Sequence, residues 1–160
     1  MPQFSTKRRV RHSASEMFDL VADVEHYPEF VPLCESLVVR KRSAENGGKE
    51  VIVADMTIAY KFIRETFTSR VTLDREKLTI LVEYLEGPFR RMNNRWTFHP
   101  ADGGGDGGGG GACEVEFFLV YEFRSRTFGL LMGSVFDAAF RRFATAFERR
   151  ADQVYGTRPA

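Results

Sequence analysis

The chain predicts an α+β protein: a curved antiparallel sheet wrapped on one long C-terminal helix, with short helices after the first strand. Three observations carry this. Between residues 35 and 99, five strand-like runs follow one another with no helix between them to make a crossover, so the sheet is antiparallel. In residues 113–123, Val115, Phe117, Leu119, Tyr121 and Phe123 fall on one face, and Glu114, Glu116 and Glu122 on the other. In residues 127–154, Phe136, Phe140, Phe143 and Phe147 are spaced by 4, 3 and 4, which is one stripe of a helix.

The elements follow in order. Residues 3–11 alternate weakly and read as a strand at or near a sheet edge. Ser13 has Glu16 three residues on, the spacing of a capping box, so a short amphipathic helix covers residues 14–23. Residues 26–34 hold Pro28 and Pro32, which limit the backbone to about one helical turn. The same segment carries Tyr27, Phe30, Val31 and Leu33, too apolar for a solvated loop, so it must cover something apolar. The strand runs are 35–42, 50–60, 62–75, 78–85 and 92–99, with turn signals at Asn46-Gly47-Gly48 and at residues 74–77. Gly87-Pro88 ends or kinks the fourth run. Residues 103–111, eight glycines and Asp106, read as a flexible loop. A phosphate-cradling role would require a helix behind the loop and a Lys-Ser/Thr pair, but a strand follows. Phe128, Met132 and Val135 extend the stripe of the last helix upstream, and residues 157–160 read as a tail.

A length of 160 residues suits one domain, here residues 1–156. The hydrophobic share is 43% and the charged share 28%, which argues against whole-chain disorder. With 15 Phe, 5 Tyr and 1 Trp, the chain has either a thick core or an apolar cavity. Lys and Arg number 23 against 22 Asp and Glu, a net +1 that argues against nucleic-acid wrapping and specific DNA binding. No run approaches the ~18 apolar residues of a membrane span. No apolar stretch follows the basic cluster Lys7, Arg8, Arg9 and Arg11, so no secretory signal reads. Cys34 and Cys113 read as reduced thiols of a cytoplasmic protein. His12, His26 and His99 are scattered, with no sequence-local catalytic or metal-binding motif.

A strongly curved sheet closed by one helix tends to leave a hollow, a common place for an apolar ligand. The expected lining is Trp96, Phe98, Phe117, Leu119, Tyr121, Met132, Phe136 and Phe140. Asp55 interrupts an apolar run and either points to solvent, pairs with an arginine of a neighbouring strand, or enters the hollow to orient a ligand carbonyl.

Three local patterns resemble the coenzyme Q-binding START-domain family, within the helix-grip group that includes polyketide cyclases and aromatases. They are Tyr27-Pro28-Glu29-Phe30-Val31-Pro32-Leu33-Cys34; Gly87-Pro88-Phe89 with Met92 and Trp96-Thr97-Phe98; and Ala146-Phe147-Glu148-Arg149-Arg150-Ala151 ending at Tyr155-Gly156. The resemblance spans roughly Phe4 to Gly156. It departs at the glycine-rich insertion, at Met92 in place of a more usual Leu, and at Leu33 where many relatives carry Trp. It implies a non-catalytic carrier or chaperone for ubiquinone or a similar prenylated quinone, in support of respiratory electron transport. The quinone would be a bound ligand rather than a cofactor. Tyr27, Pro28, Phe30, Val31, Pro32 and Leu33 would form a gate that touches a membrane surface transiently, placing the protein at the periphery of the inner membrane. Two other readings come with the family. One is an aromatase/cyclase, whose weak candidates here are Asp55, Arg64 and Tyr121. The other is a ribosome-contacting toxin that blocks subunit association, for which Arg141, Arg142, Arg149 and Arg150 would supply a basic face.

Overall fold

The computed structural model describes residues 3–101 and 111–156. Strand β1 (Gln3–Val10) is followed by helix α1 (Ala14–Ala22) and a 3-10 turn over Val24–Glu29. Six strands come next: β2 (Cys34–Glu45), β3 (Lys49–Tyr60), β4 (Ile63–Asp74), β5 (Thr79–Glu86), β6 (Phe89–Pro100) and β7 (Cys113–Phe123). Helix α2 (Arg126–Tyr155) closes the chain. The strands form one antiparallel sheet in the order β1-β7-β6-β5-β4-β3-β2, so β1 is an edge strand as expected. Every other neighbour in the sheet is also a neighbour in sequence, the topology of a meander closed by its first strand.

The helix starts follow the sequence. The Ser13 hydroxyl accepts from the Glu16 amide (3.1 Å), and the Glu16 carboxylate accepts from the Ser13 amide (3.0 Å). Pro28 sits inside the 3-10 turn, whose short hydrogen bonds tolerate it. Strand curvature has local causes too. Register shifts between Cys34 and Ser36, Val39 and Lys41, Thr68 and Ser69, and Phe89 and Arg91 are bulges that bend the sheet around α2.

Most strand ends fall within one residue of the sequence expectation, β2 runs on to Glu45 rather than stopping at 42, and two starts differ for a local reason. The 62–75 run begins one residue later, at Ile63, because the chain reverses through Lys61 and Phe62, with Lys61 at φ 56°. No Gly, Asn or Pro marks that turn. Strand β6 begins at Phe89 rather than near 92, directly after the Gly87-Pro88 bend. Gly87 has φ 145°, and a Cβ there would lie 2.5 Å from the Phe67 Cβ, so only glycine fits this approach. The expected flexible loop at 103–111, apart from Gly111, and the tail 157–160 lie outside the described residues. The ladder runs up to the loop on both sides, with Pro100 paired to Cys113 and the Ala101 amide 3.1 Å from the Ala112 carbonyl.

Helix α2 lies across the concave face, and its two halves are held differently. Its C-terminal half is pinned by polar contacts. Glu148 pairs with Arg8 (2.7 Å), Asp152 with His12 (2.7 Å) and Arg150 with Glu29 (2.7 Å), and the Tyr155 hydroxyl donates to the Glu16 carbonyl (3.1 Å). Before Thr145, rings hold the helix. Among the described residues no ion pair or side-chain hydrogen bond joins that part to another element. Phe123 meets Phe128 and Phe136, and the Phe123 ring also fits against the bare face of Gly129, where a Cβ would come within 3.3 Å. Among the described residues no helix is long and apolar enough to cross a membrane.

Candidate functional site

Between α2 and the sheet lies an apolar cavity of about 110 Å³. Its roof is the helix stripe: Phe136, Ala139, Phe140, Phe143 and Phe147. Its floor comes from inward positions of β3 to β7: Met56, Phe67, Met92 and Trp96 alternate with outward polar neighbours, and Phe117 and Leu119 with the outward Phe118 and Val120. One side is the proline segment, through Tyr27, Val31, Pro32 and Leu33. Trp96 stands at the centre of the ring packing, with centroids 4.8 Å from Phe117 and 5.0 Å from Phe147, both edge-on.

Among the described residues, the polar side-chain groups in the wall, apart from Tyr27, are Ser69, Asn94 and the indole N–H of Trp96. The Tyr27 hydroxyl is engaged elsewhere, donating to the Val21 carbonyl, and its burial pushes the phenol well above its ordinary pKa. The Asn94 amide donates to the Phe118 carbonyl (2.8 Å), which orients the side chain and leaves its oxygen as an acceptor. The cavity therefore offers small uncharged hydrogen-bonding groups on a hydrocarbon wall. Among the described residues, none in the wall is an acid, a histidine, a lysine or an arginine.

The residues expected at the cavity separate into two sets. Trp96, Phe117, Leu119, Phe136 and Phe140 border it. Phe98, Tyr121 and Met132 are buried but do not. Phe98 shares an inward face with Trp96, yet lies under α1, 6.0 Å from Phe18. Tyr121 is enclosed by Phe89, Phe123 and Phe140, and burial, then the nearby Asp137 charge, raise its pKa. Met132 borders a narrow crevice with Ile58, Ala59, Tyr60 and Ile63. In the proline segment, Tyr27, Val31, Pro32 and Leu33 line the cavity, whereas Pro28 is exposed and Phe30 packs outside it, 5.0 Å from the Phe147 ring. The segment thus turns Tyr27, Val31 and Leu33 inward and leaves Phe30 on the outer groove.

Ser69 and Asn94 escaped the sequence reading although a signal existed. Phe67, Ser69 and Val71 share one parity of β4, and Met92, Asn94 and Trp96 one parity of β6. A polar residue at an inward parity of an otherwise apolar strand face marks a group turned into the cavity.

The other polar candidates point elsewhere. Thr68 donates to Asp55 (2.6 Å), and Arg40 stands 3.6 Å from the same carboxylate, on the outer face. Arg64 grips Glu35 through two bonds of 2.7 and 2.6 Å and holds that carboxyl below its ordinary pKa. Each histidine faces a carboxylate: His12 with Asp152 (2.7 Å), His26 with Asp23 (2.7 Å) and His99 with Glu116 (2.9 Å). Cys34 and Cys113 are free and buried, and burial pushes their thiols up to about 11 and about 12. On the outer side of α2, Arg141, Arg142, Arg149 and Arg150 line an open groove with Phe30 and Pro32. Arg141 is held by Asp137 and Arg150 by Glu29, while Arg142 and Arg149 pair with no carboxylate among the described residues.

At about 110 Å³ the cavity is smaller than the roughly 300–1,000 Å³ of an ordinary ligand pocket. The Met132 crevice, lined also by Phe128 and Glu65, runs between the first turns of α2 and the β3–β4 hairpin and shares Ile58 and Phe136 with the cavity; it is closed, with no room for a water-sized sphere. This is the half of α2 held by rings alone, so lifting it breaks no ion pair to the sheet.

Comparison with known proteins agrees with this architecture. A family model described as polyketide cyclase/dehydrase and lipid transport matches residues 10–148. A protein of Vibrio cholerae named ribosome association toxin RatA is 35% identical, over 98% of this chain and 99% of its own. The mitochondrial coenzyme Q-binding protein COQ10 of Dictyostelium discoideum is 23% identical, over 94% of this chain and 69% of its own. Among solved structures, the Zhui aromatase/cyclase of a Streptomyces species superposes with a TM-score of 0.76 at 17% identity, covering 95% of this chain and 94% of its own, which is a likeness of fold. The helix-grip fold, the apolar hollow beneath α2 and a match that runs from the end of β1 to the last turns of that helix together place this chain in the polyketide cyclase/dehydrase and lipid transport family.

Proposed function

We propose that the protein is a non-catalytic carrier or chaperone for ubiquinone or a similar prenylated hydrophobic ligand, working in support of respiratory electron transport. The observation that carries this is the cavity wall: aromatic and aliphatic, interrupted by the Ser69 hydroxyl, the Asn94 side-chain oxygen and the Trp96 indole N–H. A quinone ring stacks among Trp96, Phe117 and Phe147, and one ring carbonyl accepts a hydrogen bond from Ser69. The isoprenoid tail follows the crevice, opened by lifting the first half of α2, and each methylene buried there contributes about 0.8 kcal/mol. An aromatase/cyclase would require an acid and a base beside the substrate. Asp55 and Arg64 lie on the outer face, and Tyr121 is enclosed by other rings.

Trp96 is the only tryptophan of the chain and borders the cavity, so it reports occupancy directly. A short-chain ubiquinone quenches its fluorescence saturably, and Ser69→Ala weakens that binding. An organic extract of the purified protein, read by ultraviolet absorbance and mass spectrometry, contains a quinone. Unquenched Trp96 together with an extract free of quinone removes the proposal.

A second reading has its own support. The relative named ribosome association toxin matches nearly end to end, and the groove around Arg142 and Arg149 offers two cations without carboxylate partners. In this reading the groove contacts the ribosome and opposes subunit association. Co-sedimentation with large ribosomal subunits, lost in Arg142→Glu combined with Arg149→Glu, is the expected result. Equal sedimentation of both proteins removes the groove from that role.

A further inference from the structure

We propose that the end of the molecule formed by the β3–β4 hairpin tip and the first turns of α2 docks on an anionic lipid bilayer. The proposal extends the carrier reading, because this end is also the mouth of the crevice, but its evidence is separate from the cavity.

The large apolar side chains most exposed among the described residues gather here. Phe62, at the hairpin tip, is 92% exposed; Leu130 and Leu131, in the second turn of α2, are 83% and 65% exposed. Each leaves apolar surface in water with no packing in return. The two elements meet at the crevice, where Tyr60 and Ile63 of the hairpin face Phe128 and Met132 of the helix. Gly129 turns toward Phe123 of β7 on one flank of the helix. Helical spacing puts Leu131 on the opposite flank, the one toward the hairpin, and Leu130 on the outer surface. The exposed side chains therefore stand around the outer lip of the crevice.

Charge selects the occupant. Lys61 neighbours Phe62, and Arg124 and Arg126 precede the exposed leucines; all three are exposed and none pairs with a carboxylate among the described residues. The first acidic residue of α2 is Asp137, three turns in, and Glu65 of β4 is, among the described residues, the single carboxylate lining the crevice, against three cations at its rim. Apolar tips set in front of unpaired cations suit the boundary of an anionic bilayer, where rings and aliphatic chains enter the acyl edge while Lys and Arg meet the headgroups. In the expected gate Tyr27, Val31 and Leu33 face the cavity, and Phe30 and Pro32, which reach the arginine groove, are half-buried rather than protruding. A bilayer contact therefore belongs to the hairpin and helix tips, which would place a membrane-dissolved ligand directly at the crevice.

The test is flotation with vesicles of phosphatidylcholine and phosphatidylglycerol, alongside vesicles of phosphatidylcholine alone. The wild-type protein floats with the mixed vesicles and much less with the neutral ones. Phe62→Ser with Leu130→Ser and Leu131→Ser lowers the partition coefficient by about tenfold or more, and Lys61→Glu with Arg126→Glu removes the preference for anionic lipid. These side chains are exposed and line no cavity, so the variants keep their circular dichroism and their quenching of Trp96 by short-chain quinone. A Phe62→Trp protein adds a second readout: its emission shifts to the blue on mixed vesicles. Absence of wild-type flotation overturns the proposal, as does equal flotation of the triple-serine variant. Concentration-dependent dimerisation abolished by the same substitutions overturns it in favour of a protein partner. Loss of quinone quenching with flotation intact would sink the carrier reading and leave the docking surface standing.

Discussion

Filling the cavity separates a ligand site from an ordinary packing defect. Ala139 sits in the roof of the cavity and is nearly buried, so Ala139→Leu directs three extra carbons into the hollow. Two independent routes give the size of the effect. At about 24 cal/mol per Å³, an empty volume of about 110 Å³ forgoes about 2.6 kcal/mol of stability. Three buried carbons, at about 0.8 kcal/mol each, return about 2.4 kcal/mol. Imperfect fit of the new side chain takes back roughly 1–2 kcal/mol. The net expectation is a protein more stable by about 1 kcal/mol, seen as a higher urea midpoint at unchanged m-value and a melting temperature raised by about 2–4 °C. In the same protein, quinone quenching of Trp96 is lost, because the added carbons occupy the ring site. Stability gained as binding disappears marks a hollow kept open for a ligand. A variant that is less stable by more than about 1 kcal/mol and still binds quinone fully would refute the placement of the ring beneath Ala139.

Other consequences can be checked by standard means. Phe147→Ala removes the ring that joins Trp96, Tyr27 and Phe30, and lowers unfolding free energy by about 3–5 kcal/mol in urea titrations. Gly87→Ala combines a left-handed backbone with a contact of 2.5 Å to the Phe67 side chain, and destabilises by more than about 2 kcal/mol in the same assay. His26 is raised above the usual histidine pKa by its hydrogen bond to Asp23 and then by that residue's charge. A raised folded value means that its contribution is fully present below about pH 6.5 and fades as pH climbs through the folded pKa. NMR titration of the ring gives a value above the ordinary one, and Asp23→Asn returns it toward normal. Replacing residues 103–111 by a tight turn shifts stability by no more than about 1 kcal/mol, since the ladder closes at Pro100 and Cys113 on either side.

The elements legible in the sequence were those whose signal is local. The capping box at Ser13, the alternation of β7 and the phenylalanine stripe of α2 each need only neighbours along the chain, and each stands where the sequence places it. What was hidden depends on partners distant in sequence. Trp96 and Phe98 share one face of one strand, yet one meets α2 and the other α1, because two helices divide the concave surface. Alternation reports which face a residue is on and is silent about which helix covers it. The Lys61-Phe62 turn carried no Gly, Asn or Pro, so an exposed phenylalanine read as a strand residue. The stripe of α2 named the buried phenylalanines but said nothing of Leu130 and Leu131, which lie off it. Hydrophobicity alone does not distinguish a residue that is packed from one that protrudes.

The carrier and ribosome readings occupy opposite sides of the same helix, which makes them separable. Phe136, Ala139, Phe140 and Phe143 look into the cavity, while Arg141, Arg142 and Arg149 look outward into the groove. No groove residue except Pro32 also borders the cavity, so substitutions at Arg142 and Arg149 leave Trp96 quenching intact if the two functions are independent. Coupling would have to run through α2 itself. The stretch from Thr145 on, which bears Arg149 and Arg150 of the groove, is fixed to β1 and to the 3-10 turn by Arg8–Glu148 and Arg150–Glu29, whereas the turns over the crevice are held by ring contacts. Movement that admits a ligand therefore belongs to the first turns over the crevice and leaves Arg149 and Arg150, beyond Thr145, in place. Binding at the two faces is then additive: quinone does not alter ribosome co-sedimentation by more than about twofold, since no differential contact links the two sites. A strong effect of quinone on ribosome binding would show instead that α2 moves as one rigid body and that its polar anchors yield when the cavity fills.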